Sequence, residues 1–179
     1  MLTAHLPAGY CLTKLMKDRP PLLLPVALFF SILPDFDLIW FFLVDGRQIH
    51  HHRYWVHIPA FWAVVGTVSL VALWRTRFRP YVIIAIAAAF LHLVLDSVVG
   101  GILWLAPWDN TLYQLITIRP TKPHWLFSFI LHWTFLAEVA IWGLALALYW
   151  REGRAAEFPA QPEAIAVPVV RTVKSPPFE

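Results

Sequence analysis

Four long apolar runs separated by short polar connections organise the chain. The first, residues 22–44, is about long enough to cross a bilayer as a helix. Pro34 interrupts it. Proline removes a hydrogen bond inside a helix and disfavours the helical region for the residue before it, here Leu33. The pattern therefore predicts a first span that breaks where Asp35 and Asp37 begin. The second run, residues 57–74, opens on His57, and Pro59 suits a first helical turn. The third, residues 81–106, contains His92 and Asp96, and Gly100 and Gly101 permit close packing or a bend. The fourth, residues 126–149, carries His132 and Glu138, whose six-residue spacing does not share a helical face well. Each of these two is expected to bond one helix to another, their exact roles being left open.

Residues 1–19 are moderately apolar and then basic, and Pro20 and Pro21 break the chain after them. Two readings stand for this segment: a surface terminus, or a piece that folds back into the protein and carries His5 inward. As a helix, residues 1–13 would reach roughly 20 Å. Pro159, Pro162, Pro168, Pro176 and Pro177 argue against packed structure at the other end. The expected organisation is a membrane helical domain over residues 1–150 and a disordered cytoplasmic tail over residues 151–179. The expected fold class is all-α: an integral membrane bundle of about four transmembrane helices, the first broken at Pro34, plus a short N-terminal segment folding back.

Composition supports a membrane class. The chain is 59% hydrophobic and only 14% charged, against roughly 25% charged in an average soluble domain. Mean hydropathy is +0.63. The net charge of +3 does not indicate a nucleic-acid partner, because the basic residues sit at the ends of apolar runs. Lys14, Lys17 and Arg19, then Arg75, Arg77 and Arg79, then Arg151 and Arg154 predict one basic, cytoplasmic side holding both termini. No cleavable signal is evident in the first twenty residues. Trp55, Trp104, Trp108, Trp125 and Trp150 lie near predicted span ends, as an interfacial belt requires. The single cysteine, Cys11, excludes an intrachain disulfide and a cysteine-based zinc site.

The chemistry gathers between Leu33 and His57. A carboxylate near the middle of a membrane helix costs roughly 2.5–3.5 kcal/mol on insertion scales, so it faces a partner or a wet cavity. Asp35 and Asp37 lie two apart, which is not one face of a helix, but a broken segment can turn both toward one point. His50, His51 and His52 follow in the polar connection 45–56, either as a solvated patch or as ligands, and the part played by His51 is left open. His92 and Asp96 are four apart and share a helical face. In the predicted topology Asp35, Asp37, His52, His57, His92 and Asp96 all reach the outer half of the membrane or just beyond it. Three separate segments thus deliver ligand-type residues to one depth. Hard oxygens beside imidazoles suggest a metal ion as their partner.

The ordered set Pro34-Asp35-Phe36-Asp37, then His52-Arg53 with His57, then His92 with Asp96 resembles the YdjM-type family of membrane-bound metal-dependent hydrolases. His5, with Gly9 four residues on, resembles that family's early H-x-x-x-G, and GGILWLAPW at Gly100–Trp108 resembles its segment after H-x-x-x-D. The resemblance covers about residues 1–110. Where the family commonly has H-R-G-x-T-H-S, this chain has Tyr54, Val56 and Ile58 at the glycine, threonine and serine positions. The resemblance implies a divalent metal, zinc first, with His5, His52, His57 and His92 offering nitrogens and Asp35, Asp37 and Asp96 offering oxygens. Seven candidates exceed the four of a tetrahedral zinc. Either some stand behind the others, or two ions lie roughly 3.5–4 Å apart.

The expected function is a hydrolase embedded in the bacterial inner membrane. It would act on a lipid or lipid-linked ester or phosphoester by metal-activated water, with Arg53 as a phosphate contact or a headgroup anchor. Ser97, beside Asp96, points about 100° away from it on a helix, so no serine mechanism is expected. The alternative is a non-catalytic membrane metal protein: a transporter, sensor or scaffold. A third reading makes the polar residues glue between helices and predicts no metal.

Overall fold

Prolines, glycines and polar caps cut the apolar sequence into shorter helices than its hydrophobicity suggests. The computed structural model describes residue 1 and residues 3–157. Among these the α-helices are α1 (His5–Thr13), α2 (Leu23–Ile32), α3 (Asp37–Leu43), α4 (Pro59–Leu73), α5 (Arg79–Asp96), α6 (Trp125–Ile130) and α7 (Phe135–Glu157). Short 3-10 turns occupy Pro34–Phe36, His51–Arg53 and Trp55–His57. The single β-bridge among the described residues pairs Ile102 with Tyr113.

Pro34 does what the sequence predicts. The run breaks into α2 and a second piece, Pro34–Leu43, bent from it by 49°. Together the two are long and apolar enough to cross a membrane. α5 alone passes the same test, with 18 residues and a mean hydropathy of 1.6. α4 is apolar but has only 15 residues. The fourth run differs from expectation, because it is split into α6 and α7. Between them His132 Nδ1 bonds the Thr134 hydroxyl at 2.9 Å, and the Thr134 amide approaches the same nitrogen at 3.4 Å. Such local side-chain bonds compete with helical ones. The four crossings expected are thus one unbroken helix, one bent pair, a short apolar helix and a divided run.

The third run also stops earlier than expected, at Asp96 rather than residue 106. The Asp96 carbonyl accepts from the Gly100 amide at 2.7 Å, and Gly101 takes φ +70°. That turn sends the chain into the Ile102–Tyr113 bridge. The amides of Leu115 and Ile116 then donate to the carbonyls of Ser97 and Val98, fastening the outer connection to the end of α5.

α5 is the centre of the packing and touches α1, α2 and α4. Ala27 on α2 and Ala85, Ala88 and Ala89 on α5 are buried small residues, of the kind that lets membrane helices approach closely. Trp62, Leu93 and Ile102 fill one core, and Leu23 with Ile84 another. α1 folds back against α2, α5 and α7, with His5 only 4% exposed. Of the two readings of the N-terminal segment, the inward one is seen. The outward faces are apolar: Val64, Val68 and Val71 recur along one side of α4 and are all exposed.

Three basic segments share one end of the molecule. Lys14 and Arg19 each reach Glu152 at 2.5 Å, and Tyr81, two residues after Arg79, donates its hydroxyl to the Pro21 carbonyl at 2.5 Å. α7 continues to Glu157, beyond residue 150 where the tail was expected to begin. The remainder of that expected tail, residues 158–179, lies outside the described residues.

Candidate metal centre

The site forms where the bend after α2, the two 3-10 turns before α4 and the C-terminal end of α5 meet. His57, 0% exposed, closes the turn before α4. Its Nδ1–H donates to Asp37 Oδ2 at 2.7 Å. His92 Nδ1 donates to the Ser31 carbonyl at 2.8 Å. His52 Nδ1 lies 2.9 Å from the carbonyls of both Gly100 and Gly101. A carbonyl oxygen only accepts, so Nδ1 carries the proton in His92 and His52. In a neutral ring that leaves a bare lone pair on Nε2. The three Nε2 atoms point inward, toward Asp96 and Asp35.

The spacing of the inward atoms is informative. His57 Nε2 stands 3.4 Å from His92 Nε2, 3.7 Å from Asp96 Oδ2 and 3.9 Å from Asp35 Oδ1. His92 Nε2 is 3.7 Å from Asp35 Oδ1, and His52 Nε2 is 3.7 Å from Asp96 Oδ2. Most of these separations are too long for hydrogen bonds. Ligands held at about 2.1 Å around one tetrahedral cation stand about 3.4 Å from each other. The shortest pair, His92 Nε2 and Asp96 Oδ2, is 2.9 Å apart but lacks hydrogen-bond geometry, and Asp96 Oδ2 is left buried without a hydrogen-bond partner. A buried carboxylate oxygen among converging imidazole lone pairs is costly unless a cation satisfies it. The donor set of Asp35, His57, His92 and Asp96 could hold a metal ion, and so could the ring nitrogens of His51, His52 and His57.

The remaining sequence candidates lie around this group. Asp37 stands behind His57 and orients it. His5 stacks on His92 with ring centroids 3.9 Å apart, and its Nε2 lies 3.2 Å from Asp96 Oδ1. The Met1 ammonium is 2.5 Å from the same oxygen. Arg53 is exposed beside His52. His51 Nδ1 lies 3.6 Å from Asp37 Oδ1. Glu138 is buried and accepts from the Thr3 amide and hydroxyl at 2.7 and 2.6 Å. Ser97 Oγ accepts from Trp104 Nε1 at 2.7 Å and donates to the Leu93 carbonyl at 2.8 Å.

Two glycines make room for the site. A Cβ on Gly100 would lie 2.4 Å from His52 Cε1. A Cβ on Gly9 would lie 2.8 Å from Ser31 Oγ, on the residue whose carbonyl holds His92. Burial pushes the His52 imidazole down to about 3, against the upward pull of Asp96, so the ring is neutral at neutral pH. The Tyr54 hydroxyl bonds Asp45 and ties together the two ends of the outer loop. The Val56 carbonyl accepts from Trp62 Nε1 at 2.7 Å.

A cavity of about 640 Å³ opens on this cluster. Asp35, His51, His52 and Asp96 face it, and Leu38, Phe41, Phe42, Ile118 and Phe129 form much of its wall. The wall from residues 118–129, the carbonyl anchors at Ser31, Gly100 and Gly101, and the place of His51 were not evident from sequence. A backbone carbonyl leaves no residue-type signal.

A search of curated proteins and a search of solved structures each find no match to the chain. The family model described as YdjM inner membrane protein matches residues 1–159. With that match over nearly its whole length, the chain belongs to the YdjM inner membrane protein family.

Proposed function

We propose that this protein is a membrane-embedded, metal-dependent hydrolase whose substrate is a lipid or lipid-linked ester, with a phosphoester first. The observation that carries the reading is the convergence of Nε2 atoms and carboxylate oxygens at ligand spacing on an apolar cavity. Asp35, His57, His92 and Asp96 would hold the ion, with His52 beside them. Zinc suits a mixed nitrogen and oxygen set. A bound divalent cation supplies an acidified water near pH 7 and polarises a phosphoryl or carbonyl oxygen.

The chain's own groups do the positioning. Asp37 and the carbonyls of Ser31, Gly100 and Gly101 keep each imidazole proton on Nδ1 and each lone pair directed inward. Outer partners of this kind fix ring orientation and raise ligand basicity. His5 and the Met1 ammonium balance the second oxygen of Asp96. The cavity walls would give an apolar chain a place to lie, and Arg53, exposed beside His52, would be the phosphate contact. The Asp35 side chain is 31% exposed, which favours a reachable, catalytic centre over a sealed scaffold.

The protein is integral to the inner membrane, in keeping with its family and α5. The basic clusters at one end support cytoplasmic termini. Asp96 ends a helix of about 26 Å that starts at Arg79, so this orientation sets the site near the opposite face.

Detergent-purified protein loaded with zinc or manganese should release phosphate from a long-chain alkyl phosphate faster than from a short soluble one. Asp35→Asn and His92→Ala should each lower the rate at least a hundredfold. Release that is absent from the parent, or unchanged in both variants, would contradict the reading.

A further inference from the structure

The strongest unexplained pair in the molecule is His51 and Asp37. The Asp37 side chain is 5% exposed, and its one hydrogen bond is the one Oδ2 accepts from His57. Its Oδ1 is buried with no hydrogen-bond partner. His51 Nδ1 likewise makes no hydrogen bond and faces that oxygen at 3.6 Å, within ion-pair range. The two atoms face each other at ion-pair range, across a gap too wide for a hydrogen bond. Two ligand atoms 3.6 Å apart, each about 2.1 Å from one ion, subtend about 118° at it, close to a tetrahedral angle. The gap is the size of a shared cation. One ring nitrogen of His51 also lies within 4.8 Å of one from His52 and one from His57, and His51 faces the cavity.

We propose that His51 and Asp37 form a second cation position, next to the four-ligand one and open to the cavity. This rests on the metal-centre reading above and adds a residue that lies outside the H-R-x-x-x-H motif. Two protein ligands leave the other coordination positions to water or to an anionic oxygen arriving through the cavity. The second position therefore binds more weakly than the first and fills at higher free metal. His57 couples the two, since its Nδ1–H is held by Asp37 while its Nε2 faces the first position.

The test is zinc stoichiometry of the full chain in detergent, by equilibrium dialysis across a range of free zinc. The parent, His51→Ala, His51→Gln and, as a control for adventitious loop binding, His50→Ala are compared. The parent and His50→Ala should reach two equivalents, and both His51 variants should stop at one. The equivalent they retain certifies that the first position and the fold are intact. A parent that saturates at one equivalent, or His51 variants that keep two, overturns the second position and leaves the first standing. A parent that binds none overturns both.

Discussion

Gly100 shows how closely single atoms are held at this site. An added methyl would sit 2.4 Å from a ring carbon of His52, so His52 would have to leave the two carbonyls that orient it. Loss of an orienting partner typically costs 10–100-fold in metal affinity. Gly100→Ala should weaken zinc binding by about that factor, read by competition with a chelator. Unchanged affinity would mean that His52 has no part in holding the ion. The ligand-type side chains were legible from sequence, because His and Asp in apolar surroundings declare a partner. Their anchors were not. Ser31, Gly100 and Gly101 act through carbonyl oxygens that every residue possesses.

At the scale of elements, α1 reaches the centre by lying against α2, and Gly9 sets the approach. An added Cβ would meet Ser31 Oγ at 2.8 Å and the Ala27 carbonyl at 3.2 Å. Overpacking of this kind costs about 1–3 kcal/mol. Gly9→Ala should lower the thermal midpoint in detergent, and should also weaken zinc binding, because the Ser31 carbonyl holds His92. A stable variant with full affinity would disconnect α1 from the site. The bend at Pro34 was legible, since proline's constraint is local. The end of α5 and the gap between α6 and α7 were not, because hydrophobicity runs on through both. Those breaks depend on the Gly100–Asp96 backbone bond and on the His132–Thr134 contact.

Across the whole molecule, the clusters of Lys14–Arg19, Arg75–Arg79 and Arg151–Arg154 lie at the end opposite the site. The asymmetry of basic residues was legible along the chain, whereas the clamp that joins α1 to α7 through Glu152 needed the fold. The Lys14 ammonium bonded to Glu152 holds its carboxyl below the ordinary 4.5, and Arg19 adds to the effect. A carboxyl lowered in the folded state adds stability that is present above its unfolded value and lost as pH falls through the folded one. Exposed pairs contribute only about 0.2–1 kcal/mol each. Glu152→Gln should therefore lower the thermal midpoint slightly at pH 7, and the gap from the parent should close as pH falls below 4.5. A gap that persists in acid would locate the effect in packing rather than charge. The central claim is that α2, α3, α4 and α5 meet around a metal ion. Metal content of the purified protein by plasma mass spectrometry, beside Asp35→Asn and His92→Ala, tests it most directly. Near-stoichiometric zinc or another transition metal in the parent, lost from both variants, is the predicted result. A parent that is metal-free and stays so after metal is added back would contradict the account and leave the cluster as contacts between helices.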